Sequence, residues 1–568
     1  MSVLKDTPIG QGVSITQMIG CRAMQKKSAV NSGKVLRYGV FLVATLAGCL
    51  PGCSASLDPP GAILRVGNGA EVQNLDPHLV SGVTEHRVLT ALFEGLADMD
   101  PATLQPVPGV AASWDISEDK LVYVFHLRED ARWSNGDPVT AHDFVYSWRR
   151  MLSPALAAEY AYLLYCLKNA KAYNEGRITD FSEVGVKATD DHTLVVTLEH
   201  PTPYFLGMQT HYAWFPVHRA TIERFGRMDE RDTPWTRAGN HVGNGPFKLE
   251  AWWPNEMIRV MKNDHYWNAS TIRLDGIQFY PIDNQQTEER SFRAGELHLT
   301  SDIPISKVGV YQRRRPEMIN LHPYCGVYFY RMNVSRPPFT DARVRRAFSL
   351  AIDRQELTRN VLKGGEQPAF HYTPPNTAGY TTEHRIAFDP EAARALLAEA
   401  GYPNGAGLPV VEILYNTSEN HKRIAEAIQR MWKRHLNADV RLINQDWKVY
   451  LVSMNMLDYS VARSAWIADV LDPVNFLECF LSDGGNNRTG WSSPAFDALI
   501  NQAYHEADTA RRERLLQEAE RILLDEAPIA PIYFYTWKFL KSPQLKGVQP
   551  NPLGYFRWAD MWLEENAL

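Results

Sequence analysis

The residues that most often do chemistry in proteins form no recognisable catalytic motif in this sequence. The chain has no HExxH zinc-helix motif, no GxSxG nucleophile elbow, no Walker phosphate loop and no Rossmann glycine fingerprint. Its 17 histidines are scattered, and His211 and His218 do not have the spacing of metal ligands on one helix. Asp98 and Asp100 alternate beside Pro101, which we interpret as a surface turn. We therefore predict no catalytic residue, no metal site and no cofactor.

One cysteine near the N-terminus has the context of a lipid-modification site. Basic residues precede a short apolar run over residues 40–47. That run is shorter than the roughly 20 residues that span a bilayer, and it suits a signal-peptide core. It ends in LAGC, which resembles the bacterial lipobox and places a nucleophilic thiol at Cys49. We expect export and lipidation of Cys49; a plain secretory signal, lipidation at Cys53 and translation from Met24 are the alternatives.

Composition narrows the class of protein. A chain of 568 residues exceeds what one hydrophobic core usually organises, so we expect two or three lobes. A formal net charge of -6 without long runs of like charge argues against nucleic-acid binding. Beyond the signal region only Cys166, Cys325 and Cys479 remain, and none has a CxxC spacing. We predict that they are ordinary buried thiols. No apolar run after Cys53 is long enough to cross a membrane.

Short strands and helices interleave after the signal region. Apolar, β-branched and aromatic runs predict strands at 121–128, 193–198, 274–280 and 438–442. Helical patterns cover 140–148, 391–400 and 420–435. Thr140 stands three residues before Asp143, which is typical of a helix N-cap. The alternation predicts an α/β fold with several mixed sheets.

Four blocks of the sequence, in this order, resemble the periplasmic oligopeptide-binding proteins of ABC importers, the family 5 solute-binding class. The first block is GNGAEVQNLDP with LFEGL, and the second covers residues 108–148. The third covers 243–267, and the fourth covers 332–357 with PPFTDARVRRAFSLAIDR. The resemblance extends from about residue 64 to the end of the chain. The presence of four blocks in the order of the family makes the resemblance specific.

The resemblance implies a two-lobed periplasmic-binding-protein clamp, type II-like, with an extra inserted domain and two strands as the hinge. Residues 1–60 would hold the signal peptide, the lipobox and a linker. The first lobe would combine residues 61–93, 219–323 and 537–568, with an accessory domain at 94–218 and the second lobe at 324–536. Such lobes close over a ligand that touches both of them.

The resemblance also assigns residues that would hold the two ends of a short peptide. The segment WIAD ends in Asp469 and matches the family motif whose aspartate receives the α-ammonium group of the ligand. A loop or cap carboxylate is the alternative for an isolated aspartate. Arg463 aligns with an arginine that anchors the carboxylate of short peptides, which a guanidinium fork fits. The backbone between the two ends would pair with an open strand edge.

Five further residues are implied around the ligand. His421 matches a histidine that reaches the carboxylate of a slightly longer ligand, with a surface histidine at a helix start as the alternative. Trp447 and Trp466 correspond to aromatic residues that line side-chain pockets. Tyr160 is a pocket candidate where the alignment needs a gap, and Val83 would offer backbone hydrogen bonds.

Two positions depart from the family pattern. Ser81 stands where the well-studied oligopeptide binders have an acidic residue. Those proteins also pair two cysteines near the cleft, whereas here Cys325 occupies one of the two positions and Ile467 replaces the other cysteine. That disulfide cannot form, so we expect a free thiol and a more apolar pocket beside Ile467.

The resemblance implies a monomeric, membrane-anchored periplasmic lipoprotein that is not an enzyme. It would carry short peptides to an inner-membrane ABC permease with its ATPase subunits, and it would bind no nucleic acid. A peptide hydrolase and a sensory receptor that presents its ligand are the alternatives. Within the family, murein tripeptides, other di- or tripeptides, nickel complexes, haem and oligosaccharides are rival ligands.

Overall fold

Strands and helices alternate through residues 61–375, 377–506 and 508–564, the part of the chain that this computed structural model describes. The predicted signal region, with Cys49 and Cys53, lies outside the described residues. Among the described helices, none combines the length and the apolar character needed to cross a bilayer.

The strands range from two to 14 residues. They are β1 (Ile63–Gly67), β2 (Ala97–Met99), β3 (Pro106–Pro108), β4 (Ala111–Ile116), β5 (Val122–Leu127), β6 (Val186–Asp190), β7 (Thr193–Thr197), β8 (Phe247–Trp253), β9 (Met257–Lys262), β10 (Gly276–Tyr280), β11 (Ile319–Met332), β12 (Gln367–Pro368), β13 (Val411–Asn416), β14 (Val440–Gln445), β15 (Val461–Ile467), β16 (Ile529–Leu540), β17 (Leu545–Lys546) and β18 (Trp562–Leu563).

The helices include two of 18 residues. They are α1 (Val83–Leu92), α2 (Ala141–Met151), α3 (Ala170–Asn174), α4 (Phe205–Met208), α5 (Arg219–Phe225), α6 (Gln285–Arg293), α7 (Ile305–Arg314), α8 (Ala342–Leu350), α9 (Arg354–Glu356), α10 (Pro390–Glu399), α11 (Glu419–Leu436), α12 (Trp447–Asn455), α13 (Val474–Leu477), α14 (Pro494–His505) and α15 (Thr509–Glu526). A π-helical turn, Leu357–Leu362, continues α9, and single 3-10 turns connect other elements.

Three sheets form the framework. The first has the order β1-β10-β9-β8, with β1 parallel to β10 and the other pairs antiparallel. The second is the antiparallel sheet β4-β5-β7-β6. The third is mixed and has the order β12-β16-β11-β15-β13-β14. The prediction of an α/β fold with several mixed sheets is confirmed.

The strand β11 is the centre of the third sheet, and its second half, from Cys325 to Met332, is buried on both faces. Val327 and Phe329 belong to one hydrophobic core, whereas Tyr328 and Tyr330 belong to another. Side chains alternate between the faces of a strand, so each face packs against its own core. This explains why the end of β11 has a nearly continuous apolar sequence.

The strands β11 and β16 are long and pair with each other. Their register runs from Ile319 opposite Leu540 to Arg331 opposite Ile529, and it is interrupted between Pro323 and Val327. The sequence-based boundaries at 323/324 and 536/537 fall beside this interruption, where Pro323 is opposite Thr536. The division into lobes remains a prediction, and these two strands lie where it requires the hinge.

The predicted elements are present with small shifts of their ends. In α2, the Thr140 N–H donates to Asp143 Oδ2 at 2.8 Å, so the predicted cap is confirmed. The strand predicted at 438–442 begins later, at Val440. Asn437 takes a left-handed conformation with φ 54°, and Ala438 still donates to a carbonyl of α11, so both residues close the helix.

The interpretation of Asp98 as part of a surface turn is wrong. Asp98 lies in β2, is buried, and accepts hydrogen bonds from Tyr555 at 2.5 Å and from Arg557 Nε at 2.7 Å. Asp100 does lie in an exposed turn, where it accepts from the Thr103 N–H at 2.8 Å. The partners of Asp98 come from the C-terminal segment, which local sequence does not reveal.

Candidate functional site

A cavity of about 410 Å³ lies between the N-terminus of α1, the start of α11, the end of β15 and residues from β16. Every residue that the sequence analysis assigned to ligand binding lines this cavity. These residues are Val83, Tyr160, His421, Trp447, Arg463, Trp466, Ile467 and Asp469. The structure thus brings the candidates together, whereas their individual roles remain predictions.

One edge of β15 is open beside the cavity. The strand pairs with β11 along its whole length, from Val461 to Ile467. On its other edge it pairs with β13 only at Val461 and Ala462. No described strand pairs with the remaining edge, from Arg463 to Ile467. Alternate N–H and C=O groups along such an edge can receive an extended chain.

Asp469 follows β15 by two residues and lies near the end of this open edge. Its main-chain N–H donates to Asn475 Oδ1 at 2.9 Å, and its Oδ2 accepts from Asn475 Nδ2 at 3.3 Å. The side chain is 15% exposed, and no described lysine or arginine forms an ion pair with it. A carboxylate that is largely buried without a strong cation is costly, so the site favours a positively charged ligand group.

His211 contacts Asp469 and was not predicted from the sequence. Its Nε2 lies 3.3 Å from Asp469 Oδ1, and its side chain is 4% exposed. Its Nδ1 accepts from the Ala213 N–H at 3.2 Å, so its Nε2 carries a proton and donates to Asp469. His86 stacks at 6.2 Å from His211, and burial lowers the pKa of His86 to about 3. His86 is therefore a neutral group near the carboxylate at pH 7.

Arg463 lies on β15 and has only neutral hydrogen-bond partners. Its Nη1 donates to Asn416 Oδ1 at 3.3 Å, and its Nη2 donates to the Tyr535 hydroxyl at 3.1 Å. Its Nε is buried without a partner, and no described carboxylate forms an ion pair with the guanidinium. The ring of Tyr328 lies 5.1 Å from the guanidinium carbon. A guanidinium in this state is suited to a ligand carboxylate.

His421 lies in the first turn of α11, next to the same end of the cavity. The Ser418 hydroxyl accepts from the His421 N–H at 3.4 Å and caps the helix. Its Nδ1 is buried without a partner, and the ring lies 5.6 Å from Tyr328. Burial, together with the charge of Arg463, lowers its pKa well below the usual range. The histidine is therefore a neutral cavity residue, not the surface histidine of the alternative interpretation.

Aromatic side chains cover the space between the charged groups. Trp466 donates from Nε1 to Asn475 Oδ1 at 3.3 Å, and its ring lies 6.3 Å from that of Tyr160. Trp447 stacks on Tyr450 at 5.6 Å and leaves its own Nε1 buried without a partner. These rings exclude water while presenting flat faces to a ligand.

Ser81 takes part in a polar bridge beside the cavity. Its hydroxyl donates to Glu159 Oε2 at 2.6 Å, and Glu159 forms an ion pair with Arg488. Glu159 Oε1 also accepts from Asn455 Nδ2 at 3.0 Å. The bridge joins the segment before α1 to the end of α12 and to Arg488. Glu159 and Arg488 were not identified from the sequence, because their 329-residue separation hides the contact.

The cysteines behave as the sequence predicted. Cys166, Cys325 and Cys479 are buried free thiols. Burial raises the pKa of Cys325 to about 11, and its sulfur lies 3.5 Å from the Thr377 hydroxyl. Ile467 is paired with Gly326, the residue after Cys325, and its side chain lies over the space that Gly326 leaves open.

Comparison with known proteins places this cavity in a family. The family model described as bacterial extracellular solute-binding proteins, family 5, middle region, matches residues 105–488. The periplasmic oligopeptide-binding protein OppA of Escherichia coli K12 is 39% identical over 495 residues, which cover 84% of this chain and 88% of OppA. The OppA of Haemophilus influenzae, solved in complex with RPPGFSPFR, superposes with a TM-score of 0.83 at 35% identity and covers 89% of this chain and 99% of its own.

A third relative also indicates the state of the clamp. The Escherichia coli murein tripeptide-binding protein MppA superposes with a TM-score of 0.85 at 37% identity, covering 89% of this chain and 99% of its own. The unliganded open form of MppA, with the same coverage, gives a TM-score of only 0.59. The conformation described here is therefore unlike that open form. The matching family model and the extent of these similarities show that the chain belongs to the family 5 bacterial extracellular solute-binding proteins.

Proposed function

We propose that this chain is an exported lipoprotein that captures short peptides in the cavity and delivers them to an ABC importer, without cleaving them. One observation carries the proposal: the cavity holds a carboxylate without a strong cation, Asp469, and a guanidinium without a carboxylate, Arg463. A short peptide with free ends supplies the two missing charges.

The spacing of these groups fits a few residues of extended chain. A strand rises about 3.3 Å per residue, so the edge from Arg463 to Ile467 is roughly 13 Å long. Asp469 lies beyond one end of that edge, and the Arg463 side chain projects near the other. An extended chain of three or four residues spans about 10 to 14 Å, which is a comparable length. His421 lines the same cavity and would reach the carboxylate of the longer of these peptides.

The open edge would allow peptides of many different sequences to bind. Main-chain hydrogen bonds to β15 are the same for every peptide, whereas the aromatic walls contact side chains without polar selection. Val83, at the start of α1, would add main-chain contacts from the opposite segment. Such a design gives affinity for the peptide backbone and leaves side-chain preference to a few cavity residues.

The relatives support export and peptide binding. OppA of Escherichia coli is a periplasmic oligopeptide-binding protein, and the OppA of Haemophilus influenzae was solved with a bound peptide. The family consists of extracellular solute-binding proteins. Lipidation rests on the LAGC sequence at Cys49, and delivery to a permease with its ATPase subunits rests on the family. A monomer in the periplasm, anchored by its N-terminal lipid, completes the proposal.

Native mass spectrometry of protein purified without denaturation tests the ligand class. We expect masses of short peptides to accompany the folded protein and to be replaced by added Ala-Ala-Ala. A single mass of a muropeptide would narrow the ligand to murein fragments. Retention of a non-peptide solute, with no displacement by Ala-Ala-Ala, contradicts the proposal.

A second assay separates binding from hydrolysis. The protein is incubated with Ala-Ala-Ala, and free amino groups are measured over time. We expect their concentration to stay constant while calorimetry shows binding. A steady increase with repeated turnover means that the chain is a peptide hydrolase.

A further inference from the structure

Arg87 lies on the face of α1 that borders the cavity. It follows Val83 by four residues, which places both on one side of the helix, and both line the cavity. The Arg87 carbonyl accepts from Trp558 Nε1 at 2.9 Å, which holds this turn of α1 in place. The position of the residue is thus set by the fold and does not depend on its guanidinium.

The Arg87 guanidinium is buried and has no polar partner among the described residues. The residue is 8% exposed, and its Nε is buried without a hydrogen bond. Within the described part of the chain its guanidinium takes part in no hydrogen bond and no ion pair. The guanidinium carbon lies 5.9 Å from the centre of the Phe556 ring. Burying an unpaired cation is costly, and burial lowers the pKa of Arg87. The residue therefore makes no direct polar contact with a neighbouring side chain in the described part of the chain.

The carboxylates whose charges act on Arg87 already have hydrogen-bond donors of their own. Asp302 accepts from Gln285 Nε2 at 2.5 Å and from the Ile303 N–H at 2.7 Å. Glu288 accepts from the N–H of Ser301 at 2.6 Å and from its hydroxyl at 3.0 Å. Both carboxyl groups interact electrostatically with Arg87 at longer range, but neither accepts a hydrogen bond from it. The donors of the guanidinium remain available.

The same wall of the cavity contains a second unused polar atom. Gln285 Oε1 is buried without a partner, and Gln285 and Asp302 both line the cavity. Lys538 also lines it, but Lys538 forms a buried ion pair with Glu366. Among the arginine and lysine residues of the described lining, Arg87 and Arg463 are thus the two without a carboxylate partner.

We propose that Arg87 is a specificity-determining residue that receives the carboxylate of an acidic side chain of the ligand. This inference rests on the proposed function, in which the ligand is a short peptide. Asp469 and Arg463 balance the two ends of such a peptide, so Arg87 is an additional cation. A peptide with one aspartate or glutamate supplies a side-chain carboxylate that the guanidinium fork fits.

Calorimetric titration with paired tripeptides tests this assignment. The peptides carry glutamate or glutamine at each of the three positions in an alanine background. At one position we expect the wild-type protein to bind the glutamate peptide about tenfold more tightly than its glutamine partner, as for one charge-assisted bidentate contact. In Arg87→Gln the ratio is expected to fall to about one, while affinity for Ala-Ala-Ala changes less than about threefold.

Two controls separate a side-chain contact from other sources of charge. Arg313→Gln removes an exposed arginine outside the cavity lining and should keep the glutamate preference. C-terminally amidated peptides should also keep the preference, because a terminal carboxylate at Arg87 would lose it on amidation. Thermal unfolding of Arg87→Gln, and of Arg87→Met as a second variant, should match or exceed the wild-type Tm, since no partner of Arg87 is left unpaired.

The outcomes distinguish this inference from the proposed function. If Ala-Ala-Ala binds but glutamate has no advantage at any position, the role of Arg87 is wrong and peptide capture stands. A glutamate preference that persists in Arg87→Gln, or that disappears on amidation, also overturns the role. If no peptide binds to the wild-type protein, the proposed function fails, and the role of Arg87 fails with it.

Discussion

Asp469, Arg463 and Arg87 line one cavity. In the described part of the chain, no lysine or arginine forms an ion pair with Asp469, and no carboxylate forms an ion pair with Arg463 or Arg87. The first two could be predicted, because the WIAD motif and the residues before it match a family pattern. His211 and Arg87 could not be predicted in the same way. They lie in other segments, and only the fold brings their side chains to the cavity. A local motif identifies the residues on its own strand, but not those that fold against it.

Glu478 gives a prediction about pH and stability. It accepts from Tyr504 at 2.7 Å and from Asn475, the residue that also holds Asp469, and burial raises its pKa to about 8. Its pKa in the unfolded chain is about 4.3, so between these values the folded state binds a proton that the unfolded state does not. This contribution to stability is complete at low pH and is lost as the pH rises through 8.

Urea unfolding of wild type and Glu478→Gln between pH 5 and pH 9 measures this effect. We expect the free energy of unfolding of the wild type, relative to the variant, to fall by on the order of 4 kcal/mol across this range. The variant serves as the reference, since the other buried carboxyl groups, such as Glu94 and Glu288, are common to both proteins. A difference that is constant with pH contradicts the raised pKa.

The open edge of β15 and the long pair β11 and β16 are the elements that make the cavity. Alternation and turn residues predicted most strands and helices of the fold, with ends shifted by a few residues. The sequence did not reveal which strand edge stays unpaired, because pairing depends on segments that are distant in sequence. The burial of Asp98 was missed for the same reason, since Arg557 and Tyr555 lie near the other end of the chain. The local residue pattern determines which segments form strands and helices more directly than it determines which of them pack against each other.

The polar bridge of Ser81, Glu159 and Arg488 gives a prediction at this scale. The bridge connects segments on both sides of the cavity, so it should favour the conformation described here. In Glu159→Gln the largely buried Arg488 loses its carboxylate partner. We expect the Kd for Ala-Ala-Ala to rise about five- to tenfold, because part of the binding energy must then favour closure.

Calorimetry of Glu159→Gln, with Glu175→Gln as a matched control, checks this expectation. Glu175 forms an ion pair with the exposed Arg177, so its loss should have little effect on binding. Equal affinities of the wild type and Glu159→Gln would show that the bridge does not contribute to closure.

The whole molecule is expected to open and close. Its conformation matches one MppA structure with a TM-score of 0.85 but matches the unliganded open form with 0.59. We predict that ligand-free protein, prepared by unfolding and refolding, has a larger radius of gyration by small-angle scattering. Addition of Ala-Ala-Ala should reduce it, because a ligand that contacts both sides favours closure. An unchanged radius on saturation contradicts a hinged clamp.

Membrane attachment is the other property at this scale. Cys49→Ser should move the protein from the membrane fraction to the soluble periplasmic fraction and remove the mass of the acyl groups. Cys53→Ser serves as the control and should remain attached. Membrane attachment of Cys49→Ser together with release of Cys53→Ser would assign the lipid to Cys53 instead.

A thermodynamic cycle between Asp469 and the peptide ammonium tests peptide capture most directly. Wild type, Asp469→Asn and the control Asp283→Asn, an exposed carboxylate of the same lining, are titrated with Ala-Ala-Ala and with its N-acetyl form. We expect acetylation to weaken binding about 100-fold in the wild type and in Asp283→Asn, as for loss of a buried charge pair. In Asp469→Asn both peptides should bind with similar, weak affinity. A full preference of Asp469→Asn for the free ammonium would contradict the assignment of Asp469 and, with it, the proposed mode of peptide capture.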